Sequence, residues 1–566
     1  MDRIWLKSYP EGVPADVDLG KLRTLAQLID EGCAQYADSV AYVQMGRSLT
    51  YRQVDELSRQ FAAYLQKTAR LAKGERFAIM LPNVLQYPIA MFAALRSGLV
   101  VVNTNPLYTA PELEHQLVDC GATAILVLEN FAHVVAKVLP RTQLKHVFVT
   151  SVGALLGFPK SAIVNYVVRK RRKQVPPWDI SGAISFTTAL AAGEHLTFDP
   201  VDVRPEDLAY LQYTGGTTGV AKGAMLTHAN VSANILQSEA WIRPSFREQA
   251  TLITPIPLYH IFALTANCLL FLRLGWRNIL IINPRDFPAV IKELKKYPFT
   301  FISGVNTLFN ALLNTPGFDT VDFRSLQITL GGGMAVQASV AKRWKEVTGK
   351  NLTQAWGLTE TSPAACINPP REDFNGAIGL PIPSTNIAIK DDSGRDLTVG
   401  QIGEICVQGP QVTVGYWNRP DETAKVMLQG GWLRTGDIGR MDERGYVFIE
   451  DRKKDMILVS GFNVYPNEVE AIAASHPGIL EAAAVAQPDE HSGEIVALFA
   501  VRKDPSLTER AVIDFCRQSL AAYKTPRHVY FRQELPKTNV GKILRKALRE
   551  DLKEESVKSA AEVPGK

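Results

Sequence analysis

The run Tyr213-Thr214-Gly215-Gly216-Thr217-Thr218-Gly219-Val220-Ala221-Lys222-Gly223 concentrates residue types that bind anions. Glycine lets the backbone turn sharply and aim successive N–H groups at one point. The hydroxyls of Thr214, Thr217 and Thr218 add donors, and Lys222 adds a positive charge. Together they read as a phosphate cradle. The common nucleoside-triphosphatase loop needs Gly-x-x-x-x-Gly-Lys-Ser/Thr. Here Ala221 precedes the lysine and Gly223 follows it, so the cradle is of another kind.

Other residues suited to chemistry follow. Gly331-Gly332-Gly333-Met334 closes an apolar run, where glycines admit a flat ligand close to the backbone, although a triple glycine alone is more often a turn. Trp356-Gly357-Leu358-Thr359-Glu360 places an aromatic ring, a hydroxyl and a carboxylate close together. Asp437, in Trp432-Leu433-Arg434-Thr435-Gly436-Asp437, is a carboxylate able to accept from both hydroxyls of a vicinal diol. His260, in Pro257-Leu258-Tyr259-His260, is a lone histidine, and such residues are more often structural than catalytic. No Ser–His or Cys–His arrangement stands out. Cys33, Cys120, Cys268, Cys366, Cys406 and Cys516 are scattered without a CxxC pair, and read as free thiols of a reducing cytoplasm.

The elements that must position these residues alternate. Short apolar runs at 77–81, 100–103, 124–128, 146–150, 209–213, 278–282, 299–303 and 326–330 read as strands. Helical patterns lie between them, as at 51–66 and 288–296, which implies parallel sheets with helices on their faces. From about 377 to 450 the strands shorten and turns crowd together, giving a small β-rich subdomain. Beyond Asp451-Arg452-Lys453-Lys454-Asp455 the pattern is α+β; Ser506-Leu507-Thr508-Glu509 reads as a capping box, and 541–550 as a basic terminal helix. The chain has 566 residues, whereas single cores stop growing at about 250–300, so several units are required. The expected division is 1–453, holding two doubly wound α/β subdomains and the β-rich one, and a small α+β domain over 454–566.

With 46% hydrophobic and 21% charged residues the chain is neither disordered nor fibrous. A net charge of +5 is mild for this length, and no nucleic-acid partner is expected. The start, Met1-Asp2-Arg3-Ile4-Trp5, lacks the apolar core of a signal peptide, and no run of about 20 apolar residues spans a bilayer; 261–274 reads as a buried helix. One segment, 153–177, sets Leu155, Phe158, Ile163, Tyr166 and Val167 before Arg169-Lys170-Arg171-Arg172-Lys173. A basic amphipathic element can lie on an anionic membrane surface. A solvated loop or an ordinary packed helix is the alternative.

The glycine loop resembles the phosphate-binding signature of the adenylate-forming superfamily, which includes acyl-CoA synthetases, luciferases and peptide-synthetase adenylation domains. The other motifs follow in the family's order over nearly the whole chain. The resemblance implies that Thr214, Gly215, Gly216, Thr217, Thr218, Gly219 and Lys222 cradle ATP phosphates, with Gly333, Trp356 and Gly357 around adenine. Trp356 stands where the family commonly has tyrosine, which keeps the stacking surface and loses any hydroxyl contact. Thr359 contacts the AMP phosphate, Glu360 with Thr214 holds Mg2+, and Asp437 and Arg452 hold the ribose. Lys454 is the hinge of a mobile C-terminal domain that presents first Lys542, in Pro536-Lys537-Thr538-Asn539-Val540-Gly541-Lys542, to the α-phosphate and then Ser460-Gly461 to CoA. His260 and Gly331 border the acyl pocket. Lys542, Glu360 and Thr214 are the implied catalytic residues.

The stretch 431–470 is similar to the signature of bacterial long-chain fatty acyl-CoA synthetases, in Arg-Lys-Lys-Asp-Met-Ile and Gly-Phe-Asn-Val-Tyr-Pro-Asn-Glu-Val-Glu. The expected activity is ATP-dependent conversion of a long-chain fatty acid to its CoA thioester. The alternatives are a medium-chain or aryl-acid CoA ligase, and a non-catalytic fatty-acid binding or transport protein. The expected location is cytoplasmic, peripheral on the inner membrane's cytoplasmic face through 153–177; a homodimer is left open.

Overall fold

The computed structural model describes residues 3–214, 221–246, 249–489, 491–538 and 540–552. The phosphate-loop residues Gly215, Gly216, Thr217, Thr218 and Gly219 lie outside the described residues.

Two mostly parallel sheets face each other. The first runs in the order Ile184–Ser185, His146–Thr150, Ala124–Leu128, Arg76–Met80, Val100–Asn103, Leu208–Thr214 and Lys222–Thr227; only the last pairing is antiparallel. The second is centred on Arg277–Leu280, Thr251–Thr254, Phe301–Gly304, Ile328–Gly331 and Leu352–Gly357, all parallel. Continuous apolar runs become strands here because helices cover both faces: every residue of Ala124–Leu128 is buried. Every residue of the helix Gln86–Arg96 is buried as well. Its Tyr87 hydroxyl donates to Asn103 on the first sheet and to the Leu258 carbonyl beside the second, so this helix ties the two together.

A third, antiparallel sheet combines Asn386–Lys390, Gly403–Gln408, Met427–Leu428, Trp432–Met441 and Val447–Arg452. This is the β-rich unit expected from the dense turns. A fourth sheet, of Ile457–Val459, Phe462–Val464, Ile479–Asp489, Gly493–Arg502 and His528–Arg532, has its own apolar core with the helices Pro466–Ala474 and Glu509–Arg517. The architecture is therefore α/β, with a large N-terminal domain and a small α+β C-terminal one.

Two local expectations are corrected. The helix expected from Ser506 begins at Glu509, because the Ser506 hydroxyl is engaged with Asp504 while Thr508 accepts from the Ala511 N–H as the cap. The terminal helix begins at residue 545, after a bridge that pairs Lys537 with Ile543. The stretch 261–274 is buried helix as expected, widened to π geometry over Ala263–Leu269.

Candidate active site

The carboxyl ends of the two large sheets open onto one cavity of about 730 Å3. Ligands of open α/β sheets bind at such ends, outside the last hydrogen-bonded residues. Thr214 ends one strand of the first sheet; Gly332 and Gly333 follow a strand of the second; Trp356 and Gly357 end its neighbour, and Thr359 and Glu360 come next. The β-rich sheet contributes Arg452, and the C-terminal domain lowers Lys537, Thr538 and Lys542 into the same opening.

Several of these residues are held in place. Gly357 cannot be replaced by a residue with a side chain without moving the backbone, since a Cβ there would lie 1.8 Å from the Pro363 carbonyl oxygen. Gly333 has φ +79° and faces Lys542, whose Cε lies 3.2 Å from where a Cβ would stand. Tyr213 anchors the start of the phosphate loop by donating to Asp119 at 2.6 Å, and Asp119 is in turn paired with Arg419 at 2.7 Å.

Glu360 accepts from the Tyr416 hydroxyl at 2.6 Å. Lys222 lies over the ring of the same tyrosine and is paired with Glu422. Burial, reinforced by the Glu360 charge, raises the Tyr416 phenol, so it stays protonated and donates. Nothing in the sequence marks Tyr416 or Glu422, because their roles depend on contacts across 56 and 200 positions.

Asp437 and Arg452 are opposite each other in adjacent strands. Asp437 is 1% exposed. Its Oδ2 accepts from the Trp356 indole at 2.9 Å, and its Oδ1 lies 3.1 Å from Arg452 Nε. That Oδ1 accepts no well-aligned hydrogen bond among the described residues and is held by the Arg452 ion pair.

The cations at this end are perturbed. Burial, with Arg452 nearby, pushes Lys542 down to about 8 and Lys454 down to about 8. His260 lines the same cavity, and its Nδ1 accepts from the Phe262 N–H at 3.3 Å. Burial and the Lys542 charge lower it to about 3, so it is neutral at ordinary pH. Phe262, Ala266, Leu270, Phe301 and Ile242 give the same cavity an apolar lining. One cavity thus carries both charged and hydroxyl-bearing side chains and an apolar lining.

Comparison with known proteins decides the family. A model described as AMP-binding enzyme matches residues 29–417, and one described as AMP-binding enzyme C-terminal domain matches 468–542. The chain belongs to the AMP-binding enzyme family. It is 53% identical over 553 residues to the long-chain-fatty-acid–CoA ligase of Escherichia coli O157:H7, covering 97% of this chain and 98% of that one. It is 38% identical over 555 residues to the long-chain-fatty-acid–CoA ligase of Bacillus subtilis strain 168, again over 97% and 98%. Among solved structures, the anthranilate CoA ligase AuaEII in complex with anthranoyl-AMP superposes with a TM-score of 0.85, at 25% identity over 96% of this chain and 100% of that one. ATP-bound MatB from Rhodopseudomonas palustris gives 0.81 at 28% identity, over 94% and 99%.

Set against the AMP-binding enzyme motifs, most of the expected site residues converge. Thr214, Lys222, His260, Gly333, Trp356, Gly357, Thr359, Glu360, Arg452, Lys454 and Lys542 line the one cavity, with Asp437 behind Trp356 and Arg452. Gly331 is corrected: a Cβ there would meet Leu352 at 2.7 Å and Val336 at 2.9 Å, so it faces packed side chains, and Gly332 lines the cavity instead. Ser460 and Gly461 form an exposed left-handed turn, with φ of +50° and +84°, and do not line the cavity.

Proposed function

We infer that this protein joins a long-chain fatty acid to CoA at the expense of ATP, through an acyl-adenylate. The observation that carries the reading is the one cavity lined both by Glu360, Arg452 and Lys542 and by the apolar Phe262, Ala266 and Leu270. Near full-length similarity to long-chain-fatty-acid–CoA ligases agrees with it.

The chemistry follows from the groups present. A carboxylate is a poor acyl donor because its charge repels nucleophiles and oxide is a bad leaving group. In the first step a carboxylate oxygen bonds to the α-phosphorus of ATP, the bond to the β-phosphate bridge breaks, and pyrophosphate leaves. Lys542, charged when an anion is beside it, offsets the negative charge that develops on the α-phosphate. Asp437 and Arg452 fix the ribose, and Trp356 offers a flat face to adenine. In the second step the CoA thiolate attacks the acyl carbon and AMP departs with the bonding pair. No protein nucleophile takes part.

Glu360 fits a Mg2+ ion. It lines the cavity with Glu112, whose carboxylate is taken by Thr109, and among the described residues no group of three His, Cys, Asp or Glu side chains could hold a metal. An ion that takes most ligands from substrate phosphates and water needs no more protein than that. Glu360 with Thr214 would hold it, and when bound it supplies positive charge to the phosphates.

We place the domain boundary at 453/454, with Lys454 as hinge, and Ser460-Gly461 as the contact for the CoA arm after rotation. The separate core of the C-terminal sheet and the family matches on either side of the boundary support this. We also propose that 153–177 rests on an anionic membrane surface. Phe158, Ile163 and Tyr166 are 90%, 59% and 61% exposed beside the basic run 169–173. No helix among the described residues is long and apolar enough to cross a membrane.

Pyrophosphate release measured over a panel of acids, with and without CoA, tests the central reading. Oleate is expected to release pyrophosphate and, with CoA, to form thioester. Product from benzoate or hexanoate but none from oleate overturns it in favour of an aryl-acid or medium-chain ligase. No pyrophosphate from any acid would leave only a binding protein.

A further inference from the structure

Three positions after Lys542 stands an arginine largely enclosed at the boundary between the two domains. Arg545 forks onto Glu470 through Nε at 2.9 Å and Nη2 at 2.8 Å. Its Nη1 donates to Asp451 Oδ1 at 2.9 Å, and its Nη2 also donates to Asn467 Oδ1 at 2.6 Å. Asp455 lies 3.6 Å from Nη1 and is itself paired with Arg549 at 2.9 Å. The Asp451 carboxylate is 1% exposed and fully committed: Oδ1 also accepts from the Arg452 N–H, and Oδ2 from the Asn467 N–H, both at 2.7 Å.

We propose that Arg545 and Asp451 form a cross-domain latch that positions Lys542 for adenylation and releases for thioester formation. Asp451 precedes the hinge and adjoins the ribose contact Arg452. Arg545, Asn467 and Glu470 follow the hinge and move with Lys542. One guanidinium therefore links the two halves of the ATP site from behind, touching neither substrate. The proposal rests on rotation about Lys454.

Charge explains why the link is discrete. Asp451 is buried and Glu470 largely enclosed, and desolvation raises both carboxyls. Burial would also lower Arg545, but Glu470 and Asp451 outweigh it and the guanidinium rises. Each group is tolerable inside the protein only with its partners. Rotation moves Asp451 away from Arg545 and Asn467 together, so the latch opens as a unit. Glu470 travels with Arg545, which keeps the guanidinium partly paired in the open form.

The test separates the two half-reactions in the full-length enzyme. Asp451→Asn is nearly isosteric and keeps one acceptor, but cannot serve Arg545 and the Asn467 N–H with a full charge. It is expected to lower ATP–pyrophosphate exchange with oleate about ten-fold, the scale of one charged hydrogen bond. Thioester formation from supplied oleoyl-adenylate and CoA should be unchanged or faster. Trypsin should cleave sooner at Arg452–Lys454. Arg545→Lys, which keeps the charge but loses the fork, is the second variant and should shift the same readouts in the same direction. Equal loss in both half-reactions, or no change in either, overturns the latch. Lys542→Ala is the control: if it also depresses both steps equally, the rotation itself fails.

Discussion

The indole N–H of Trp356 donates to Oδ2 of Asp437 at 2.9 Å, just behind the cavity wall that Trp356 and Arg452 line. The sequence presents this tryptophan only as a stacking surface that has lost a tyrosine hydroxyl. The structure gives it a donor of its own, aimed at the carboxylate behind it. Trp356→Phe keeps an apolar ring and removes that donor, leaving Asp437 buried with one contact fewer. The KM for ATP should rise about ten-fold, with a smaller change in kcat. An unchanged KM in the pyrophosphate-release assay would show that Asp437 needs no such support.

Lys542 reaches the cavity from the C-terminal domain, opposite Gly333. Lys542→Ala should lower adenylation at least a hundred-fold, the scale of one lost charge contact to a developing anion. Thioester formation from supplied oleoyl-adenylate should stay within about two-fold of the parent. The two rates are measured separately, as pyrophosphate release and as thioester formed from the adenylate.

The same lysine predicts a pH dependence. Its pKa is lowered from 10.5 to about 8 by burial and Arg452. The charged form is the useful one, so it is present below about 8 and lost as pH rises through that value. The kcat/KM for ATP reports the free enzyme and should fall on the alkaline side of about 8. Thioester formation from oleoyl-adenylate should instead rise there, as a free thiol of pKa about 8.5 ionises. His260, held near 3, should contribute no inflection between pH 5 and 9. Lys542→Arg, if it adenylates at all, should lose the alkaline fall.

Much of this was legible in the residues, and the exceptions are instructive. Runs such as Ala124–Leu128 and His146–Thr150 are strands with the expected bounds, since an apolar stretch covered on both faces leaves few alternatives. Thr251–Thr254 holds only two consecutive apolar residues, and Val40–Gln44, as long as Ala124–Leu128, is not among the runs read as strands; both pair with neighbours in the second sheet. The order of motifs indicates the site because Thr214, Gly333 and Trp356 lie at or just past the ends of strands. Trp356 with Asp437, Tyr416 with Glu360 and Arg545 with Asp451 are different in kind. Each pair is far apart in the chain and made of common residues, so only the folded backbone brings it together.

The apolar lining of the cavity is the proposed place for the acyl chain. Ala266 is part of it, on the widened helical turn Ala263–Leu269. Ala266→Phe adds a ring to open space, so the cost to folding should be small and a thermal melt should show it. Activity on oleate should fall more than ten-fold while hexanoate is retained or improved, because a lost or blocked stretch of methylenes removes about 0.8 kcal/mol each. Equal loss on both acids would place the chain elsewhere.

The surface of 153–177 combines two signals in one exposed segment around the helical stretch 160–171. Phe158, Ile163 and Tyr166 face solvent, and exposed large apolar side chains grouped together mark contact sites. Of the neighbouring basic run, Arg169 is taken by Glu129 through a fork with Nη2 at 2.7 Å, whereas Lys170, Arg171, Arg172 and Lys173 are exposed. Each basic residue near an anionic surface contributes about 1 kcal/mol. Changing Lys170, Arg171, Arg172 and Lys173 to Gln should therefore weaken flotation with phosphatidylglycerol vesicles, and the loss should grow as salt is lowered. Phe158→Ser with Ile163→Ser should weaken flotation at every salt concentration, since its contribution is apolar. Neither set touches the cavity, so pyrophosphate release from oleate in detergent should match the parent. Flotation unchanged in both variants would remove the membrane surface from this segment.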